Sequence, residues 1–276
     1  MATLKNTSIN DTGYIKVPTG TEAQRPVSPS AGYLRFNTDI DEFEFYNGTE
    51  WLLVGYEGLP TDGLTLYLDA GNRKSYDGEG TTWFDLSGNR NHAQLSGSID
   101  YSVDDGGKID YRGVSQTTNY VSMPINVLQD SGTTYTMVMW IQPVNEGTRY
   151  FNSVSSTANG NNAGIIQIAS NNISSYLGGS SVSFTDNEFL QLTLIRNGSN
   201  SGTLRKNIDS TVSATLNDLT TANGWVINQE QDSAFGGFDP LQNAYAAFSV
   251  YLFYNRALSA SEVTQIYNYF KGRYGL

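Results

Sequence analysis

At 276 residues the chain has room for one large domain, or for a small module followed by a large one. Its 27 acidic against 16 basic residues give a net charge of −11, which repels phosphate backbones and argues against nucleic-acid binding. Cysteine is absent and histidine occurs once, so disulfides, thiolate chemistry and nitrogen- or sulfur-ligated zinc are excluded.

Met1 to Ser8 open no apolar stretch of the roughly 7–15 residues that a secretory signal needs, so none is expected. No segment approaches the ~20 apolar residues of a membrane helix, and membrane insertion is not expected either. Asn-x-Ser/Thr sequons start at Asn6, Asn10, Asn47, Asn172 and Asn197, as chance supplies in a chain this rich in Asn, Ser and Thr.

The composition shifts near residue 58. Before it, Tyr33-Leu34-Arg35-Phe36-Asn37, Phe43-Glu44-Phe45-Tyr46 and Trp51-Leu52-Leu53-Val54 read as three short strands. Asn47-Gly48 is a tight-turn signal between the last two. Alternation places Leu34, Phe36, Phe43, Phe45, Trp51 and Leu53 on one face of a β-meander. A module of residues 1–57 cannot cover that face by itself, so it is expected to be an oligomer interface.

Residues 55–63 read as a linker. Beyond them come many short apolar runs separated by Gly, Asn, Ser and Asp. Leu64-Thr65-Leu66-Tyr67-Leu68 and Tyr120-Val121-Ser122-Met123 are strands. Thr136-Met137-Val138-Met139-Trp140-Ile141 is almost continuously apolar, as a strand covered on both faces should be. Leu190, Leu192 and Leu194 alternate with Gln191 and Thr193, a half-buried pattern, and residues 246–254 form the longest strand candidate. This spacing predicts an antiparallel sandwich over residues 58–276. One helix is expected near the C-terminus: Ser259 with Glu262 makes a capping box, and Val263, Ile266, Tyr267 and Phe270 form one apolar stripe ended by Gly272.

Two resemblances emerge from these runs. Gly63-Leu64-Thr65-Leu66-Tyr67-Leu68-Asp69-Ala70-Gly71, then Trp83-Phe84-Asp85-Leu86-Ser87-Gly88-Asn89, resembles the opening of laminin-G-like, concanavalin-A-like jelly-roll domains. Phe248-Ser249-Val250-Tyr251-Leu252-Phe253-Tyr254-Asn255-Arg256-Ala257-Leu258-Ser259 with Glu262 resembles their last strand and final helix, so the match brackets residues 63–272. Residues 17–51, with Val17-Pro18-Thr19-Gly20 and Pro29-Ser30-Ala31-Gly32-Tyr33, are similar to a module of tailed-phage fibre and appendage proteins. The resemblance implies a mainly β chain: a short meander for attachment or trimerisation, then a jelly-roll with one C-terminal helix, on the outside of a virion.

The same residues offer few catalytic constellations. Retaining glucanases of the jelly-roll fold usually carry Glu-x-Asp-x-x-Glu on one strand, and no such string occurs. Glu42-Phe43-Glu44 lies outside the jelly-roll. His92 sits in a polar run with no Gly-x-Ser-x-Gly elbow to serve it. Gly78-Glu79-Gly80 lacks the rest of a phosphate cradle. Calcium needs only oxygen ligands, and Asp69, Asn72, Asp77 and Asp85 are the candidates, since laminin-G-like domains often hold one such ion. Asp85-x-Ser87-x-Asn89 opens like an EF-hand loop, but Arg90 and Ser96 replace its required Gly and Glu. Sugar binding would use aromatic platforms in polar loops, for which Tyr76, Trp83, Tyr150, Tyr176, Trp225 and Phe238 are candidates. The polar stretches 154–163 and 197–202 read as exposed loops.

The sequence thus leads to the expectation of a non-enzymatic structural protein of a tailed-phage virion, a fibre, whisker or head decoration. It would be a homotrimer among other virion proteins, displaying a lectin-like domain towards host-surface glycans and needing no cofactor, with calcium the one ion its carboxylates could take. The alternative is a glycoside hydrolase or a free carbohydrate-binding module on the same fold.

Overall fold

The computed structural model describes residues 16–39, 42–54, 58–112, 117–158, 166–240 and 242–276, with Glu42 and Leu53 described in the backbone only. The chain divides into two compact units, Met1–Gly58 and Leu59–Leu276. Residues 55–57 of the expected linker, 159–163 of the first polar stretch and the sequons at Asn6 and Asn10 lie outside the described residues.

In the first unit, β1 (Thr19–Gly20), β2 (Leu34–Asn37), β3 (Glu42–Tyr46) and β4 (Trp51–Leu53) form one sheet in that order. The β2–β3 ladder pairs Leu34 with Phe45 and Phe36 with Phe43, and the two phenyl rings meet edge to face at 5.2 Å. In the β3–β4 hairpin Trp51 pairs with Tyr46, Leu52 with Phe45 and Leu53 with Glu44. Trp51 therefore does not belong to the apolar face, and Leu52 does. The cause is the four-residue turn. Asn47 Oδ1 accepts from the Thr49 and Glu50 amides and sets the register, and a one-residue shift exchanges the faces of a strand.

The reverse face of this sheet is polar and buried. Glu44 accepts from Arg25 Nε at 3.1 Å, from Arg25 Nη2 at 2.6 Å and from Asn37 Nδ2 at 3.1 Å, with Arg35 Nη1 at 3.4 Å. Burial pushes the Glu44 carboxyl up, but the bonds from Arg25 and Asn37 and the two arginine charges outweigh it and hold it below the usual carboxylate range. Trp51 lies beside both guanidinium groups, 5.8 and 6.0 Å from its ring, and stands 5.5 Å from Tyr46.

The second unit is a mainly β, jelly-roll-like sandwich. One eight-stranded sheet runs β15 (Val182–Ser183), β14 (Asn172–Ser175), β13 (Ile166–Ala169), β12 (Arg149–Ser156), β19 (Ala222–Ile227), β10 (Tyr120–Ser122), β7 (Ala93–Ser96) and β6 (Thr82–Trp83). The other runs β18 (Val212–Thr215), β17 (Ser201–Lys206), β16 (Leu190–Arg196), β11 (Tyr135–Pro143), β20 (Ala246–Tyr254), β9 (Lys108–Asp110) and β8 (Asp100–Ser102), with β5 (Leu64–Asp69) also paired to β20. Every pairing in the two sheets is antiparallel.

Among the described residues the α-helices are α1 (Ile125–Gln129) and α2 (Ala260–Lys271). Ser259 caps α2: its Oγ accepts from the Glu262 amide, and Glu262 reaches back to the Ser259 amide at 2.8 Å. The buried residues of α2 are Val263, Ile266 and Phe270, which pack on Val138, Trp140, Val250 and Leu252. Met137, Met139 and Ile141 enter the core between the sheets. This explains why β11 is buried at all nine positions: one side meets the opposite sheet and the other meets α2. The half-buried expectation for β16 fails for the same reason. Gln191 and Thr193 are buried, and Gln191 Nε2 donates to the Val263 carbonyl at 3.3 Å.

Candidate functional site

The calcium candidates do not converge on a cation. Asp69 is fully buried and forks onto Arg273, with Oδ1–Nη1 at 2.6 Å and Oδ2–Nη2 at 3.0 Å. It also accepts from the Tyr67 hydroxyl and the Gly71 amide. Asp85 accepts from the Tyr67, Ser87 and Asn91 amides and the Ser87 hydroxyl, which fixes the loop between β6 and β7. Asn72 and Asp77 each bond an amide two residues on, at Lys74 and Glu79. All four serve turns or an ion pair. His92 likewise has a backbone partner, its Nδ1 accepting from the Asp85 amide at 3.0 Å.

Three of the aromatic candidates are core residues and cannot stack a sugar. Trp83 and Trp225 are fully buried and Tyr76 is nearly so. Trp225 Nε1 donates to Asn152 Oδ1 at 2.8 Å, while the Tyr76 hydroxyl donates to the Gly80 carbonyl. Alternation in short strands could not show which side of Trp83 or Trp225 faces the opposite sheet.

The other three, Tyr150, Tyr176 and Phe238, cluster around one segment. Tyr150 is the half-buried position of an otherwise buried β12, and its ring meets Tyr176, which follows β14, at 6.3 Å and 68°. Its amide donates to the Gln242 carbonyl at 3.0 Å, tying β12 to the strap that runs from β19 to β20. Phe238 on that strap packs against Tyr120 at 4.6 Å.

The strap is built by side-chain clasps. Asn228 takes a left-handed conformation, φ 71°, and its Nδ2 donates to the Asn119 carbonyl at 2.8 Å. Gln231 Nε2 donates to the Ser153 and Gly224 carbonyls, and its Oε1 accepts from the Phe235 amide. Ser233 and Gly236 exchange backbone bonds at 3.1 Å. At Gly237, φ 69°, a Cβ would stand 2.7 Å from the Asp232 side chain, so a glycine lets the strap fold back on itself.

That fold brings Glu230, Asp232 and Asp239 together, with carboxylate oxygens within 4.8 Å of one another. Glu230 is buried, whereas the two aspartates are exposed. Desolvation, then the charges of Asp232 and Asp239, push the Glu230 carboxyl up to about 7. Burial and the neighbouring Tyr176, Glu230 and Asp239 raise the Tyr150 phenol as well. Gln242 Nε2 donates to Asp239 Oδ2 at 3.0 Å. The sequence reading missed Glu230, Asp232, Asp239 and Gln242. The available signal was three acidic residues within ten positions of a chain in which only 16% of residues are charged.

The surface thus offers two tyrosine rings beside carboxylate acceptors and an amide. Rings supply an apolar platform, and carboxylates accept hydrogen bonds from hydroxyl groups.

No family model matches the chain, and no curated protein matches it. Solved structures do. A mutant of Trypanosoma rangeli sialidase displaying trans-sialidase activity is similar over 80% of this chain and 35% of its own, at 13% identity and a TM-score of 0.57. The receptor binding domain of botulinum neurotoxin C/D mosaic serotype is similar over 76% of this chain and 52% of its own, at 13% identity and a TM-score of 0.54. The binding domain of Paraclostridial Mosquitocidal Protein 1 follows at 19% identity, TM-score 0.54, over 75% of this chain and 52% of its own. The chain therefore spans between about a third and about half of those proteins' lengths, and the likeness is one of fold. The laminin-G-like and phage-fibre resemblances draw no support from these matches. One expectation is overturned. Sialidases are enzymes, so the absence of a Glu-x-Asp-x-x-Glu string and the isolation of His92 are no ground for calling this protein non-enzymatic.

Proposed function

We propose that this chain is a glycan-binding protein displayed on the outer surface of a tailed-phage virion. Its first unit joins it, in three copies, to other virion proteins, and its sandwich faces the host. The observation that carries glycan binding is the Tyr150–Tyr176 pair beside Glu230, Asp239 and Gln242 on the strap. The phage setting rests on the resemblance of residues 17–51. A glycan array with the intact protein tests the binding. Bound glycans should be lost, with affinity falling at least tenfold, in Tyr150→Ala and Tyr176→Ala; an array with no bound glycan would sink the reading.

A second reading has its own observation in Glu230. A buried carboxyl raised to about 7 beside two further carboxylates is a candidate general acid for sugar-bond cleavage, poised near neutrality. Release of reducing ends from a bound glycan, abolished in Glu230→Gln, would establish it. Binding without release would leave the first reading alone.

A further inference from the structure

We propose that the apolar face of the first unit's sheet is covered by the same face of further copies of this chain. The inference rests on the three-copy reading above and assigns its surface. The face is made of Leu34, Phe36, Phe43, Phe45, Leu52 and Val54, joined by the Leu34–Phe45, Phe36–Phe43 and Phe45–Leu52 pairs and by the Val54 amide bonded to the Phe43 carbonyl. Four of them stay well exposed: Leu34 and Phe43 at 44%, Leu52 at 37% and Val54 at 46%. Adjoining apolar side chains left in water over this area mark an interaction site.

Given three copies, charge selects this face for their contact. None of these six side chains is charged, while on the reverse of the sheet Arg25 and Arg35 are balanced by Glu44 together with Glu22, which pairs with Arg25. Copies of a chain with net charge −11 repel wherever acidic surface meets acidic surface. This face is a place where they can meet without juxtaposing like charges. A contact without charged groups is also the composition of homo-oligomer interfaces, which are more apolar than those between transient partners. Pairing through strand edges is the poorer route, because the sheet ends in β1, two residues long, and β4, three.

The test uses the full chain. Sedimentation velocity and native mass spectrometry of wild type, Phe43→Glu/Leu52→Glu and Thr49→Glu report association, and circular dichroism reports folding. Wild type and Thr49→Glu should associate, whereas the double variant should be monomeric, its dissociation constant at least tenfold higher. Should the double variant misfold, the cysteine-free sequence offers a second route: a bulky maleimide adduct on Leu34→Cys should separate the copies and the same adduct on Thr49→Cys should not. An associated, well-folded double variant, or an associated protein carrying the adduct on Leu34→Cys, overturns this face and leaves the three-copy reading standing. A monomeric wild type at tens of micromolar overturns both.

Discussion

Phe270 offers the sharpest check on how α2 is held. Its ring is fully buried, 6.0 Å from Trp140 and 6.4 Å from Tyr67, with the Arg273 guanidinium 5.1 Å away. Phe270→Ala removes the transfer free energy of a whole ring and leaves a cavity. The surroundings cannot close it easily. Trp140 is fixed in the middle of β11 and stacked on Tyr267 and Tyr274, and Arg273 is clamped to Asp69. The loss should therefore sit within about 3–5 kcal/mol, in the upper part of what such truncations cost. For a unit of this size about 4 kcal/mol lowers Tm by roughly 8–16 °C. Urea unfolding followed by tryptophan fluorescence would measure it. Tyr269→Ala, one residue earlier and 42% exposed, is the control and should change stability by less than about 1 kcal/mol. A Phe270→Ala loss below about 1 kcal/mol would mean that α2 does not seal the outer side of β11.

Asp69→Ala should cost about 3 kcal/mol in the same assay, the low end for a broken buried pair, because it leaves the partly buried Arg273 without its counter-charge. Calcium that stabilises wild type but not Asp69→Ala would instead make Asp69 a metal ligand. Glu262 is held down to about 2, first by the hydrogen bond from Arg256 and then, against the opposing effect of burial, by bonds within the Ser259 cap. Its contribution is full above the unfolded value near 4.5 and is lost as pH falls through about 2, so wild type and Glu262→Gln should converge in stability over that window. Glu230 works in the opposite sense: raised to about 7, it contributes fully below about 4.5, and the contribution is lost as pH rises through 7. Thermal unfolding between pH 5 and 8.5 should show wild type losing stability relative to Glu230→Gln, and parallel curves would contradict the burial of that carboxyl.

Much of the fold follows from local pattern. The capping box at Ser259 and the stripe through Val263, Ile266 and Phe270 are short-range signals, and α2 forms where they place it. The apolar run over 136–141 identifies a strand covered on both sides, and β11 is one. The aromatic pairs of β2 and β3 were legible because alternation alone determines which side chains share a face. Composition and spacing also contained Tyr150, Tyr176 and Phe238 as aromatic residues in polar surroundings.

What tertiary structure decided is what depends on a partner distant in sequence. Asp69 reads as a metal ligand until Arg273, more than two hundred residues away, takes both its oxygens. Trp83 and Trp225 look like loop aromatics until the opposite sheet closes over them. Trp51 lies on the Glu44 side because the turn at Asn47 pairs it with Tyr46, and alternation within one strand does not say which residues of the next strand continue the same face. Glu230, Asp232 and Asp239 become a cluster only when Gly237 lets the strap double back and Gln231 clasps it to β12 and β19. Side-chain periodicity is a local property of the backbone, whereas burial, ion pairing and carboxyl acidity depend on which distant segments arrive.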